Sequence, residues 1–233
     1  KMRIVAFIPA RGGSKGLKRK NLKLLGNHPL ISWPIKHALE SKFINDVIVT
    51  TDDNEIASIA KKYGAKVPFI RPSNLAEDLT TTEDTLKHAL KIYEEKFEKV
   101  DLCVFLTCTD IFRKSNWIDE AISIMLKNQD IESVFSGHKT HKNFWQKDET
   151  GKWKRLQNWM AEYSSRQIRK SVVREDTGLC CVSRSFLWRE GRRIGDNVEI
   201  IENNDFLTSV DIHTKEDLII AEKLLKLRKE GII

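Results

Sequence analysis

No run of about 18 apolar residues occurs in the 233-residue chain, so no membrane-spanning helix is expected. No secretory signal is read at the start either, because Val5 to Ile8 lead straight into a strand-like stretch. Cysteine is scarce: Cys103, Cys108, Cys180 and Cys181 form no CxxC and have no zinc-finger spacing. Disulfide frameworks and structural zinc are thereby excluded, and buried free thiols in a reducing compartment, the cytoplasm, are expected. Two familiar phosphate-binding glycine signatures are also missing. No Walker A loop is present, and neither is the GxGxxG of dinucleotide-binding folds. His28, His37, His88, His138 and His141 assemble no triad or zinc cluster. Linkers, internal repeats and low-complexity segments are absent, so residues 1–233 read as one domain.

What is there begins with a rhythm. "RIVAFIP" (3–9), "DVIVTT" (46–51) and "DLCVFLT" (101–107) are short, apolar and rich in β-formers, as buried strands are. Between them, "NEIASIAKKYG" (54–64) and "EDTLKHALKIYEEKF" (83–97) carry apolar residues at helical spacing, the first closing on a C-cap glycine. A further helix is expected to start near Ser32 with Pro34 in its first turn. Strand alternating with helix predicts βαβ units and a mainly parallel sheet. From about 130 to 175 the rhythm breaks into a polar, basic stretch holding Trp145, Trp153 and Trp159, read as an inserted arm: a lid or an oligomer contact. It resumes with "GLCCVS", "VEIIE" and "LTSVD", and a last helix opens at Thr214 with Asp217 three residues on, close to a capping box.

The formal charge is +7, favouring anionic partners, although solvated lysine-rich helices account for most of it. The informative part is local. "IPARGGSKGLKRKN" (8–21) puts Arg11, Lys15, Lys18, Arg19 and Lys20 into ten residues directly after the first strand. In parallel α/β sheets ligands bind at the carboxyl ends of strands. Gly12, Gly13 and Gly16 allow a sharp turn that aims N–H groups at one point, and a triphosphate suits that charge and size. The bland reading is a solvated basic loop.

The same stretch resembles the signature of the CMP-sialic acid synthetases, the acylneuraminate cytidylyltransferases. "VIVTTDDNEIASIAKKYGAKVPFIRPSNLAED" (47–78) is similar to that family's second block, "SRQIRKSVVREDTG" (165–178) to its Arg-Gln segment, and "SVDIHTKEDLIIAEKLL" (209–225) to its closing metal-binding block. The resemblance implies a Rossmann-like three-layer nucleotidyltransferase fold with an inserted dimerisation arm. It implies transfer of CMP from CTP to the anomeric hydroxyl of a 2-keto-3-deoxy sugar acid, with release of pyrophosphate. CTP and that sugar acid are then the expected ligands, with Mg2+ or Mn2+ as cofactor and a second copy of the chain as partner. Carried over by position, Arg11, Gly12, Gly13, Ser14, Lys15, Lys20, Asn21, Arg71 and Thr81 contact the nucleotide, with Arg11, Lys20 and Asp211 catalytic. Arg166, Gln167 and Arg174 surround the sugar carboxylate, Thr82 lies near base or sugar, and Lys142 reaches a partner's site. Lys142 reads equally well as a solvated arm lysine, and Arg71 as an exposed strand-end arginine.

Two departures from the family pattern stand out. Its paired carboxylates, Asp-Ile-Asp on a short strand, become Asp211-Ile212-His213. Magnesium takes oxygen ligands, whereas the His213 nitrogen suits manganese or zinc; alternatively His213 only contacts the following helix. The sugar-reading glutamine becomes Thr107, and Asp110 appears as an added acid. Asp110 either contacts an amino or hydroxyl group of an unusual acceptor (an octulosonate or amino-sugar acid) or caps a helix starting near Ser115. Two other classes remain: a homologue that binds CTP without turning it over, and an RNA reader using the tryptophans and cations of the arm. Of these partners, nucleic acid is the one not expected.

Overall fold

A computed structural model describes residues 2–77 and 79–233. Asp78, the last residue of the second matched block, lies outside the described residues. The chain starts with β1 (Ile4–Pro9), the short hairpin β2 (Leu24–Leu25) and β3 (His28–Pro29), and α1 (Ser32–Leu39). Next come β4 (Asp46–Thr50), α2 (Asn54–Lys62), α3 (Thr82–Lys96), β5 (Leu102–Phe105) and α4 (Trp117–Lys127). The second half holds β6 (Ser133–Thr140), β7 (Trp145–Lys147), β8 (Trp153–Arg155), β9 (Val172–Glu175), β10 (Cys181–Arg184), α5 (Ser185–Glu190), β11 (Val198–Asn203) and α6 (Lys215–Lys229).

The main sheet has the order β11-β6-β10-β5-β1-β4, with β9 pairing on β6. β1 runs parallel to both β4 and β5, and β11 runs parallel to β6. Only β9 and β10 oppose this direction, each pairing antiparallel to its neighbours. The fold is the expected three-layer α/β nucleotidyltransferase type. Period-two alternation along β1 explains the layering. Ile4, Ala6 and Ile8 face a core with Ile35 and Ala38 of α1, Ile56 and Ala60 of α2, and Ile118 and Ile122 of α4. Val5 and Phe7 face the other way, onto Leu86, Leu90 and Tyr93 of α3 and Leu187 and Trp188 of α5. A third cluster packs α6, through Ala221 and Leu225, on Leu25, Leu30, Leu17 and Ile212. The glycine-rich loop and the 211–213 segment therefore share one small core.

Local signals behave as the sequence indicates at most boundaries. Pro34 stands in the first turn of α1, where its missing N–H costs nothing. Gly64 follows α2 with φ +97°, the left-handed conformation that glycine adopts without strain. Thr214 and Asp217 form a complete capping box at the start of α6. Elsewhere the structure differs. The helix expected near Ser115 begins at Trp117 with Asn116 at its N-cap, so Asp110 caps nothing. "LTSVD" belongs to a turn of 3₁₀ helix (Phe206–Ser209), and residues 211–213 form no strand. The stretch assigned to an arm is narrower than 130–175. Ser133–Ser136 are buried in the central sheet and β9 closes onto β6, which leaves 141–171 with the β7–β8 hairpin outside the sheet.

One buried carboxylate ties the sheet to its helical layer. Asp46, at the start of β4, accepts hydrogen bonds from Arg3 (2.6 Å), Tyr93 (2.6 Å) and Lys66. Burial pushes its pKa up, but the Lys66, Tyr93 and Arg3 contacts outweigh that and hold it below its ordinary value. Asp46→Ala takes this acceptor from the Tyr93 hydroxyl and from two partly exposed cations, and urea unfolding should report a loss of about 1.5–3 kcal/mol. A change under about 1 kcal/mol would mean that the network contributes little.

Candidate functional site

The chain leaves β1 towards β4 on one side, then crosses to β5 on the other. Such a change of direction opens a crevice at the carboxyl ends of the strands. A cleft of about 320 Å³ lies there, walled by Pro9, Arg11, Gly13, Ser14, Lys20 and Asn21 from the glycine loop. Arg71 and Thr80–Thr82 with Thr85 form a second wall, and Thr107–Thr109 after β5 a third, with His213 at the rim. The structure thus brings together ten of the residues singled out from sequence: Arg11, Gly13, Ser14, Lys20, Asn21, Arg71, Thr81, Thr82, Thr107 and His213.

The loop is pinned rather than loose. Asn21 is buried and donates its amide to the Arg11 carbonyl at 2.9 Å, closing the loop on itself. The Gly12 N–H donates to Asp52 Oδ1 at 2.8 Å, so Gly12 shapes the turn and its amide is not aimed at a ligand. A Cβ on Gly16 would stand 2.5 Å from the His213 carbonyl oxygen, which explains glycine at that position. Arg19 adopts φ +57° and grips Asp53 and Glu55 at the start of α2. Asp53 is itself the N-cap of that helix, so one of the five cations serves the scaffold. Lys15 and Lys18 lie exposed on the outer side.

Lys20 is different. It is half-buried, and among the described residues it makes no ion pair; its Nζ lies 3.5 Å from His213 Nδ1. Burial lowers its pKa, with Arg11 adding to that effect against the opposing pull of Asp211 and Asp110. A desolvated ammonium facing a cleft is stabilised by an anion. Arg71 is almost fully buried rather than exposed, and holds the carbonyls of Thr50 (2.8 Å) and Leu75 (3.2 Å). Its Nε is buried without a partner, and burial lowers the pKa of the guanidinium. The amino end of the 15-residue helix α3 also meets the cleft: Thr81 caps it, and Thr82 and Thr85 line the wall, adding the positive end of the helix dipole.

On the β5 side, Thr107 Oγ1 donates to Asp110 Oδ2 at 2.5 Å. Asp110 is deeply placed behind Thr107, and its carboxyl is pushed up to about 6, first by burial and then by Asp211. Arg113, absent from the candidates drawn from sequence, supports this corner. Its buried guanidinium donates to the carbonyls of Thr107 (2.9 Å), Gly178 (3.0 Å) and Leu179 (2.7 Å). Its place at the end of "FLTCTDIFR" (105–113), a loose match to a family stretch ending in arginine, gives it no role; the tertiary fold reveals its burial.

Asp211 and His213 do share a side, although no strand holds them: Asp211 Oδ2 lies 2.7 Å from His213 Nε2. Among the described residues no three His, Cys, Asp or Glu side chains gather as a metal cage. Other expected site residues lie apart from the cleft walls. Arg174 grips Asp176 through Nε (2.7 Å) and Nη2 (2.9 Å), so its fork already holds an internal carboxylate. Lys142 and Arg166 line a separate cavity of about 380 Å³ in the arm with His141 and Arg169, and Gln167 is exposed beside it.

A switch-point cleft with a glycine loop, an embedded lysine and a helix amino terminus defines a nucleotide-binding α/β transferase. The cytidylyltransferase family matches residues 5–228, and the chain belongs to that family. The resemblance carried by "IPARGGSKGLKRKN" is therefore borne out. The chain is 29% identical over 248 positions to CMP-N,N'-diacetyllegionaminic acid synthase of Legionella pneumophila, across all of both chains. It is 34% identical over 128 residues to pseudaminic acid cytidylyltransferase of Campylobacter jejuni, covering 55% of each. To N-acylneuraminate cytidylyltransferase of Escherichia coli it is 39% identical over 140 residues, 60% of this chain and 32% of that protein. In fold it is similar to a CMP:2-keto-3-deoxy-manno-octonic acid synthetase complexed with CTP, with TM-score 0.73 at 16% identity, covering 97% and 99% of the two chains. No helix among the described residues is long and apolar enough to cross a membrane.

The raised pKa of Asp110 has a consequence for stability. In the unfolded chain the carboxyl titrates near its ordinary 3.8, and in the folded chain near 6. The folded state therefore binds the extra proton between these values, and stability falls as pH rises through that window. Asp110→Asn removes the penalty, so its unfolding free energy should exceed that of the wild type above pH 6 by up to about 3 kcal/mol. The gap should shrink towards pH 4; a gap independent of pH would refute the assignment.

Proposed function

We propose that the chain transfers CMP from CTP to the anomeric hydroxyl of a 2-keto-3-deoxy sugar acid of the nonulosonate class, releasing pyrophosphate. The single observation that carries this is Lys20: a half-buried ammonium that makes no ion pair among the described residues, set in a pinned glycine loop at the switch point. The anomeric oxygen bonds to the α-phosphorus, giving up its proton to water, as the bond from that phosphorus to the oxygen bridging to the β-phosphate breaks and pyrophosphate leaves. The negative charge that builds up there needs fixed positive groups more than it needs covalent help. Lys20 and Arg11 supply it in this reading, Gly13 and Ser14 offer donors to the phosphates, and Asn21 keeps the loop in shape. Arg71, Thr81 and Thr82 take the nucleoside end, and the Thr107 hydroxyl, backed by Asp110 and Arg113, meets the acceptor. The names of the relatives, legionaminic, pseudaminic and neuraminic acid enzymes, support an acidic nine-carbon acceptor.

Asp211 is the residue that fits a divalent cation. One carboxylate plus phosphate oxygens and water satisfies magnesium, which rarely needs a full protein cage. Bound beside the triphosphate, Mg2+ or Mn2+ would neutralise phosphate charge. His213 orients Asp211 through its 2.7 Å contact and offers a nitrogen better suited to Mn2+.

The direct test is pyrophosphate release from CTP, with either metal, across neuraminic, legionaminic, pseudaminic and octulosonic acids. Turnover with at least one acceptor is expected, and none with any of them would overturn the reading. Lys20→Ala should lower kcat/KM about 100-fold or more with the fold intact by circular dichroism; an unchanged rate would remove Lys20 from the mechanism. His213→Asp should move the ratio of Mg2+- to Mn2+-supported turnover towards Mg2+. A constant ratio would leave His213 as a hydrogen-bond partner of Asp211 only.

A further inference from the structure

A second cavity, of about 350 Å³, lies between α1, the 111–115 segment and the last turns of α6. It is as roomy as the first cleft and has its own chemistry. Arg113, Arg228 and Lys229 give its walls three positive charges against the single carboxylate of Glu40. Among the described residues neither Arg228 nor Lys229 forms an ion pair, whereas their neighbours Lys226 and Glu230 pair with each other. Two further donors stand nearby. A guanidinium can only donate, so His37 Nδ1 accepts from Arg113 at 3.2 Å. Burial, with Arg113 and Arg228 adding to it, holds the His37 pKa down at about 3, so the ring is neutral and carries its proton on Nε2 as a donor. The Trp33 indole N–H is buried and has no acceptor among the described residues. Between these polar groups the walls are apolar: Ile111, Phe112 and Leu225.

We propose that this second cavity is a binding site for a small organic anion, a carboxylate or phosphate carried on an apolar body. An excess of cations and donors selects the anionic group, and the apolar wall selects the body. The site is distinct from the nucleotide cleft. Its back wall is nevertheless shared with it, since the Arg113 that faces this cavity also holds the carbonyls of Thr107 and Gly178.

The test uses phenyl phosphate and benzoate as probes, with benzyl alcohol as the neutral control, on the full chain saturated with CTP. The Trp33 indole resonance, assigned with Trp33→Phe, is followed by NMR. Saturable shifts with at least one anionic probe, and none with the alcohol, are expected. Arg228→Ala combined with Lys229→Ala, both on the surface of a long helix, should weaken that binding about tenfold or more. Equal response to the alcohol, no shift with either anion, or undiminished affinity in the double variant would each overturn the proposal.

Discussion

An ammonium group held partly out of water, with no carboxylate in contact, is the constraint around which this end of the molecule is arranged. Lys20 keeps its charge at a desolvation cost that its own surroundings do not repay in full. A chain can sustain such a group only if the backbone around it has nowhere else to go. Each feature of the loop serves that end: the Asn21 amide on the Arg11 carbonyl, the Gly12 amide on Asp52, Arg19 on the cap of α2, and Gly16 flush against the His213 carbonyl. Stabilisation stored this way is recovered when an anion arrives, which is the logic of preorganised electrostatics.

The cations of the loop therefore divide by role. Arg19 braces the scaffold, Lys18 is exposed, and Lys20 is set into the cleft beside Arg11. A comparable division holds on the far wall. Arg71 and Arg113 are both buried, and both support carbonyls at strand ends rather than forming ion pairs with acids. Positive charge is thus built into the cleft from beneath, while its visible surface is largely hydroxyl: Ser14, Thr80, Thr81, Thr82, Thr85, Thr107 and Thr109. Such a surface suits a polyhydroxylated, highly charged pair of substrates.

Much of this was legible in the sequence because the signals were local. The β1 run, the glycines after it and the capping box at Thr214 depend on neighbours within a few positions, and the structure has them where they were read. What was not legible depended on distant partners. Arg71 was placed beside the nucleotide by resemblance, with an exposed strand-end arginine as the alternative, and is buried under the Thr50 carbonyl. Asp110 read either as an acceptor contact or as a helix cap; it caps no helix and receives the Thr107 hydroxyl. Arg113 fell on the closing arginine of a loosely matched family stretch (105–113) and was given no role, since its partners at Gly178 and Leu179 lie 65 and 66 residues away. Arg174 read as a ligand for a sugar carboxylate, yet Asp176, two residues on, already supplies one. The arm was placed too broadly because the polar composition of 137–140 conceals a strand that pairs with β9 and β11.

The charge state of Lys20 tests the account most directly. Heteronuclear NMR of the lysine side chains, with Lys20 assigned through Lys20→Arg, can follow its titration in the free protein and with CTP bound. The expected result is a pKa below the ordinary lysine value in the free chain, rising when the triphosphate occupies the cleft. An ordinary value in the free protein, or one indifferent to CTP, would contradict it.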